Sequence, residues 1–132
     1  MVVHRCFRVE HIVVFRKVHG VSAGSSSRND GNFVNGTLYA VSFFHLSQSL
    51  YVSAGQSVSQ GQTIALSGNS GNSSGAHTHI EVYNLGSMSV SDAVARFSAG
   101  ADFAWGTGWS GGSTCEAGSA APCRERPEKF FG

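Results

Sequence analysis

Three histidines are the residues of this sequence whose types and spacing best fit catalysis. His77 and His79 flank Thr78, and His45 lies in the segment FFHL. On a β-strand, residues i and i+2 project from the same face, about 6.5–7 Å apart. One imidazole of such a pair can bind a metal ion while the other transfers a proton near the metal-bound water. Imidazole-rich sites with an open position most often hold zinc, so the pair indicates a zinc hydrolase.

The same residues also fit a surface that binds no metal. A His-x-His pair in a soluble domain is commonly two surface histidines, and His45 can be an ordinary half-buried strand residue. Glu81, two residues after His79, can be a metal ligand or a base, but it can equally be solvated or hold a neighbouring side chain. Spacing alone therefore leaves both interpretations open.

Strands must position these residues, because helical periodicity is almost absent before residue 89. The segment HTHIEVY alternates, which predicts a strand with both of its histidines and Glu81 on one open face. Ile80 and Val82 are expected on the opposite face, in the core. His45 is expected on an adjacent strand, with its ring within about 10 Å of the His77 ring.

Most of the remaining sequence consists of short strands separated by turn residues. IVVF at 12–15 can form a buried strand, SLYVSAGQSV and QTIALSG predict two more strands, and Asn35-Gly36 predicts a tight hairpin. Ser89 or Ser91 can cap one short helix. The sequence therefore predicts an all-β fold of mainly antiparallel sheets, arranged as a sandwich or barrel with an open groove. One short C-terminal helix and an irregular tail complete it.

A chain of 132 residues is one domain or a fragment of one, because domains typically take about 100–200 residues. Cys115 and Cys123 can close a small loop in an oxidising compartment, which leaves Cys6 unpaired. Three segments are distinguished by composition and pattern: an atypical start at 1–20, a β-domain core at 21–98, and a covering extension at 99–132.

Charge is scarce along the chain. Charged residues make up 13% of it, against about 25% in typical domains, and none occurs between Gly31 and Ile80. This composition, with a formal net charge of +1, excludes disorder driven by net charge and a basic nucleic-acid surface. No apolar run approaches the ~20 residues of a membrane helix, and the start of the chain lacks the pattern of a secretory signal.

An ordered series of Val, Gly, Gln, His and Glu residues connects the three histidines. It consists of His45-Leu46, Val52, Gly55, Val58, Gly61-Gln62, Gly68, Gly71, Ser74-Gly75, His77, His79 and Glu81-Val82. From about Gly31 to Tyr83, the sequence resembles the C-terminal half of the lysostaphin-type (LytM-like) zinc endopeptidases, which cut peptidoglycan cross-links. In that family, His-Leu ends an aromatic strand, V-x-x-G-x-x-V-x-x-G-Q follows, and a Gly/Ser loop ends in S-x-G-x-H-x-H-x-E-V.

The resemblance implies a role for each matched histidine. His79 would be a zinc ligand, His77 a catalytic histidine beside the metal-bound water, and His45 its catalytic partner across the groove. One zinc ion would be the cofactor of a complete site. Substrate-groove residues would be Ser74, Gly75 and Glu81.

The resemblance also implies the partner and the compartment. The partner would be the peptide stems and cross-bridges of peptidoglycan, with no nucleic acid and no membrane-spanning segment in this chain. Because peptidoglycan lies outside the cell membrane, the parent protein is expected to be extracellular or associated with the cell wall.

One part of the family pattern is not matched. The family has two further zinc ligands in a His-x-x-x-Asp motif, roughly 15–20 residues before a Gly-Val-Val strand. If residues 19–24 are that strand, counting back reaches HRCFR at 4–8, which has Arg in place of Asp. His4 is therefore a possible ligand without its carboxylate partner, and His11 and His19 have no acidic residue at the required spacing.

Two explanations of the missing motif are open. Either the chain is a fragment of a zinc endopeptidase with an incomplete metal site, or it is a non-catalytic degenerate domain that binds the cell wall or regulates another protein. A pure binding module has no chemical need for His45, His77 and His79, so their presence favours the fragment.

Overall fold

A five-stranded antiparallel sheet, called the main sheet below, organises the structure. The computed structural model describes residues 2–5, 12–17, 36–99 and 114–131. In spatial order the strands of the main sheet are β1 (Val2–Arg5), β2 (Ile12–Lys17), β3 (Leu38–Phe44), β6 (His79–Asn84) and β7 (Cys123–Glu125). A two-stranded sheet contains β4 (Leu46–Leu50) and β5 (Ala65–Ser67), and the helices are α1 (Val90–Ser98) and α2 (Glu128–Phe131). The predicted all-β class is confirmed. Helix α2 was not predicted, because its four residues are too few to show a period.

Both faces of the main sheet are covered by other elements. On one face, the rings of Phe15 and Tyr83 meet the ring of Phe97 from α1 edge-on, with centroids 5.3 and 5.5 Å from it. On the other face, Leu46 packs against β2 and Phe130 of α2 packs against β3 and β6. Strand β6 is therefore buried on both sides at residues 81–83.

The polar face of β6 is not open as predicted. Glu81 is 5% exposed and Tyr83 is fully buried, so the prediction of an open face is wrong beyond His79. On the opposite face Val82 is buried, as predicted, and Ile80 is half-buried. Alternating residue types in a sequence predict which residues share a face of a strand. They do not predict that the polar face is exposed, because polar groups that hydrogen-bond to each other can also be buried.

Strand β2 contains the segment IVVF, which is buried as predicted. It lies between β1 and β3, so residues 12–17 of the atypical start belong to the main sheet.

The predicted hairpin at Asn35-Gly36 is wrong. β3 pairs with β2 along one edge and with β6 along the other. No edge of β3 is left for a strand that would fold back at Gly36, although Gly36 does have a φ of 82°. Asn35 lies outside the described residues. Pairing between distant strands therefore outweighs the local turn preference.

Helix α1 begins at the predicted cap. Ser89 is the N-cap, and its Oγ accepts a hydrogen bond from the Asp92 N–H at 3.2 Å. Asp92 in the first turn and Arg96 in the last turn both suit the helix dipole. Ala93 and Phe97 turn the apolar side of the helix to the main sheet. Neither helix of the described residues is long and apolar enough to cross a membrane.

A disulfide closes the segment before β7. Cys115 and Cys123 are bonded, which confirms the predicted pairing. The Cys115 N–H also donates to the Arg124 carbonyl at 2.9 Å. The disulfide therefore fixes the start of β7, which occupies the outer edge of the main sheet.

Reduction of this disulfide is expected to lower the free energy of unfolding by about 2–3 kcal/mol, because the bond closes a short loop in the unfolded chain. Denaturant titration with and without reductant measures the difference, and mass spectrometry should show the gain of two hydrogen atoms. A Cys115→Ser, Cys123→Ser double variant should not respond to reductant. Equal unfolding curves for oxidised and reduced protein would contradict the expected stabilisation.

An ion-pair group joins α2 to the disulfide loop. Lys129 Nζ lies 2.8 Å from Glu116 and 3.1 Å from Glu125. Partial burial acts to raise the pKa of Glu116, but hydrogen bonds from Lys129 and from backbone N–H groups hold it below its ordinary value. The hydrogen bond to Glu116 raises the pKa of Lys129. Because the Glu116 pKa is lower in the folded state, its contribution to stability is present above its ordinary pKa and is lost as pH falls through the lowered value.

Candidate active site

His45 forms the junction between β3 and β4 in a left-handed backbone conformation. Its φ of 62° is uncommon for a residue with a Cβ, and it takes the chain from the main sheet to the two-stranded sheet within one residue. His45 Nδ1 lies 2.7 Å from the Ser70 carbonyl oxygen. Because a carbonyl oxygen only accepts, Nδ1 carries the hydrogen, and the Nε2 lone pair is left to accept a proton or a ligand.

A Gly/Ser loop between β5 and β6 holds this ring. Ser70 supplies the carbonyl oxygen, and its own Oγ donates to the Leu46 carbonyl at 2.6 Å. Gly68 begins the loop and lies so close to β4 that a Cβ there would be 2.6 Å from the backbone nitrogen of Ser47. At the other end, the His77 N–H donates to the Gly68 carbonyl at 3.0 Å. The close approach at Gly68 therefore brings the two ends of the loop and β4 together.

Gly68→Ala is expected to lower the free energy of unfolding by about 1–3 kcal/mol, since the added methyl group must displace backbone atoms. Gly75→Ala is the matched control, because Gly75 lies in the same loop with no atom within 4 Å of its Cβ position. Denaturant titration of both variants measures the effect. Equal stability of the two variants would show that the loop does not need the close approach.

His77 ends the loop and is exposed. Its Nδ1 lies 2.7 Å from the Gly75 carbonyl oxygen and 3.2 Å from Ser73 Oγ. The carbonyl again fixes the hydrogen on Nδ1 and leaves the Nε2 lone pair available. Ser74 and Gly75, the predicted groove residues, are exposed beside this ring. His77 is thus a fixed imidazole that solvent and a substrate can reach.

His79 is the first residue of β6, and its ring is held at Nε2 rather than at Nδ1. Its Nε2 lies 2.9 Å from Glu81 Oε1, and the Tyr83 hydroxyl donates to the other oxygen of the same carboxylate. The His79 side chain is 33% exposed, whereas Glu81 is buried. An ionised carboxylate only accepts, so Nε2 carries the hydrogen and the Nδ1 lone pair is left available. A carboxylate behind the ring is how metal-binding histidines are commonly oriented.

The three imidazoles, called the histidine cluster below, lie close together. The ring centroids of His45 and His77 are 4.7 Å apart, which confirms that His45 lies within reach of His77. The His45 and His79 centroids are 6.2 Å apart, and Phe44 packs edge-on against the His79 ring at 5.3 Å. The cluster therefore presents two Nε2 lone pairs and one Nδ1 lone pair within a small volume.

Within this cluster, His79 fits the part of a zinc ligand, but a complete ligand set is not present. Among the described residues, no three His, Cys, Asp or Glu side chains are arranged to hold a metal ion. The strand register separates His4 from Glu81 by three strand spacings, about 14 Å. The His4 side chain itself lies outside the described part of the chain, so His4 stays a predicted ligand. His11 and His19 lie outside the described residues.

Sequence reasoning missed the groups that orient the cluster. The carbonyl oxygens of Ser70 and Gly75 leave no signal in a sequence, because every residue has one. Glu81 was predicted as a groove residue or, alternatively, as a residue that holds a neighbouring side chain, and its buried carboxylate lies behind His79. The Tyr83 hydroxyl was not predicted, although its position two residues from Glu81 on the same face was the available signal.

Comparison with known proteins identifies the family. Residues 17–91, more than half of the chain, match the sequence profile of peptidase family M23. The chain belongs to this family, and its domain is of the LytM-like type. The histidine cluster and the loop that orients it both lie within the matched residues.

Two curated bacterial relatives share the same region. The chain is 51% identical over 49 residues to a Haemophilus influenzae protein described as an uncharacterized metalloprotease, with 37% of this chain and 10% of the relative covered. It is 47% identical over 55 residues to the peptidoglycan DD-endopeptidase ShyA of Vibrio cholerae, with 39% and 13% covered. The chain thus spans about a tenth to an eighth of the length of these relatives. No solved structure matches the chain.

Proposed function

We propose that this chain carries the catalytic-histidine part of a zinc-dependent endopeptidase that cleaves the peptide cross-links of bacterial peptidoglycan. The observation that carries the proposal is the histidine cluster, in which each ring has one nitrogen held by an acceptor and the other left available. Membership of family M23 and the similarity to a peptidoglycan DD-endopeptidase of Vibrio cholerae support the substrate class.

The proposed roles follow from the two tautomers. Zinc, when bound, supplies a Lewis acid and a water of lowered pKa, and His79 would hold it through Nδ1. His77 accepts a proton from the attacking water at Nε2 and returns it to the departing amine. His45, once its Nε2 has taken up a proton, would donate a hydrogen bond to the oxyanion that forms at the scissile carbonyl.

The missing ligands are proposed to come from a His-x-x-x-Asp segment of a longer protein. One imidazole does not hold a catalytic zinc ion, which usually has three protein ligands, and an aspartate would offset part of the charge of the ion. The 132-residue chain is accordingly expected to bind zinc weakly and to hydrolyse peptidoglycan poorly. Its parent protein acts outside the cell membrane or in the cell wall, where this substrate lies.

A non-catalytic wall-binding or regulatory module is the second candidate, and the unmatched His-x-x-x-Asp motif favours it. The test compares the chain with a form extended by the coding sequence that precedes it in the genome. The extended form should contain near one zinc per chain and clear a cell-wall suspension until a chelator is added. An extended form that has the motif but binds no zinc and clears no cell wall would support the module. Zinc-dependent clearing by the unextended chain would contradict the proposed ligand set.

A further inference from the structure

A cavity of about 300 Å³, called the Arg124 pocket below, lies beside His79 at the outer edge of β6. Its walls are residues 79–82 and residues 124–128. β7 pairs with β6 only from Val82 to Asn84, so within the described parts of the chain no strand covers this edge at positions 79–81. The pocket therefore opens where a peptide at the histidine cluster can lie along the sheet edge.

Arg124 is the unusual wall residue of the pocket. It is 3% exposed, and its Nε and Nη2 are buried without a hydrogen-bond partner among the residues that the structure describes. A guanidinium remains charged at any physiological pH, and burying such a group without acceptors is strongly unfavourable. Nε and Nη2 form one edge of the guanidinium plane, and this edge matches the two oxygens of a carboxylate. The geometry of the orphaned edge thus matches that group.

Two of the three glutamates in the pocket wall already have other partners. Both oxygens of Glu81 are engaged by His79 and Tyr83, and Glu125 binds Lys129 at 3.1 Å. Arg126 adds a second positive charge to the pocket wall. Glu128 also lines the pocket, but among the described residues no carboxylate oxygen is hydrogen-bonded to the orphaned guanidinium edge of Arg124, which belongs to the same pocket wall as His79.

We infer that Arg124 binds a carboxylate of a peptide, either its C-terminus or an acidic side chain, and so positions that peptide beside His79. The inference rests on the proposed function in taking that peptide to be the substrate. β7 and α2 lie beyond the residues that match the family profile. The extension at the C-terminal end thereby adds a specificity element to the histidine cluster.

The test uses the 132-residue chain without zinc, so that binding is measured apart from turnover. Three probes are titrated: N-acetyl-dialanine as the free acid, its amide, and N-acetyl-alanyl-glutamic acid α-amide. The Arg124 Nε–H resonance is followed by NMR. At least one of the two acids should shift this signal and bind at least about tenfold tighter than the amide. The acid that binds identifies the source of the carboxylate.

Substitutions distinguish a specific contact with Arg124 from a general effect of positive charge in the pocket. Arg124→Gln should weaken binding of that acid at least about tenfold, and Arg126→Gln, which removes the same charge from the same pocket, should change it less than about twofold. Arg124→Lys, which keeps the charge but loses the planar edge, should give an intermediate loss. If Arg124→Gln does not fold, the difference in affinity between the acids and the amide on the unaltered chain tests the inference.

Equal binding of the acids and the amide, an unmoved Arg124 signal, or equal losses in Arg124→Gln and Arg126→Gln would overturn the inference. These outcomes differ from a failure of the proposed function, which is measured by peptide cleavage in the extended protein. A chain that binds the acid as expected but whose extended form does not cleave would refute the function alone.

Discussion

In a protein with the complete zinc site, His77→Ala is expected to lower kcat by about 10²- to 10⁴-fold and to leave the zinc content unchanged. His77 presents an Nε2 lone pair from an exposed, fixed ring, which is suited to proton transfer. Because the ring is exposed, its loss should not destabilise the fold. Turnover on purified peptidoglycan and metal analysis measure the two effects separately.

His79→Ala is the matched variant of this prediction. It removes the ring that a buried carboxylate orients, so zinc and activity should be lost together. A rate loss without loss of metal in His79→Ala, or loss of metal in His77→Ala, would reverse the two assigned roles.

Glu81→Gln is expected to weaken zinc binding by about 10- to 100-fold in the same protein. The Glu81 carboxylate accepts the Nε2 hydrogen of His79, which leaves Nδ1 unprotonated and able to hold the ion. The side-chain amide of this variant carries no charge, and it no longer fixes the hydrogen of the His79 ring on Nε2. Zinc titration against a competing chelator measures the change, and thermal unfolding checks that the variant remains folded.

Tyr83→Phe is the control for Glu81→Gln. It keeps the hydrogen bond between His79 and Glu81 and removes only the hydroxyl that binds the second carboxylate oxygen. Its effect on zinc affinity should be at most about tenfold, the scale of one buried hydrogen bond. If Glu81→Gln binds zinc as tightly as the unaltered protein, the carboxylate has no part in orienting the ligand.

Residue types and spacing predicted which histidines form the site, but not which groups fix the orientation of their rings. The family pattern assigned His45 to the site, and the structure places its ring against that of His77. The left-handed backbone of His45 could not be read from FFHL, because it depends on how β4 leaves the main sheet. The acceptors that set two of the tautomers are backbone carbonyls, which no sequence pattern marks.

The fold was predictable where local chemistry decides it. Ser89 caps α1 as expected, since a serine side chain satisfies a free N–H at a helix start. The Asn35-Gly36 hairpin failed because the pairing of β3 with two distant strands is decided by burial of both sheet faces. For the same reason the alternation of HTHIEVY did not reveal that Glu81 is covered.

Release of new amino groups from purified peptidoglycan tests the central claim most directly, because only cleavage of peptide bonds produces them. The extended protein is incubated with insoluble peptidoglycan, with zinc, with a chelator, and with zinc restored. We expect amino groups to be released with zinc, their release to stop with the chelator and resume when zinc is restored, and no release with the His77→Ala variant. No amino-group release, release of reducing sugar ends instead, or release that His77→Ala leaves unchanged would contradict the account.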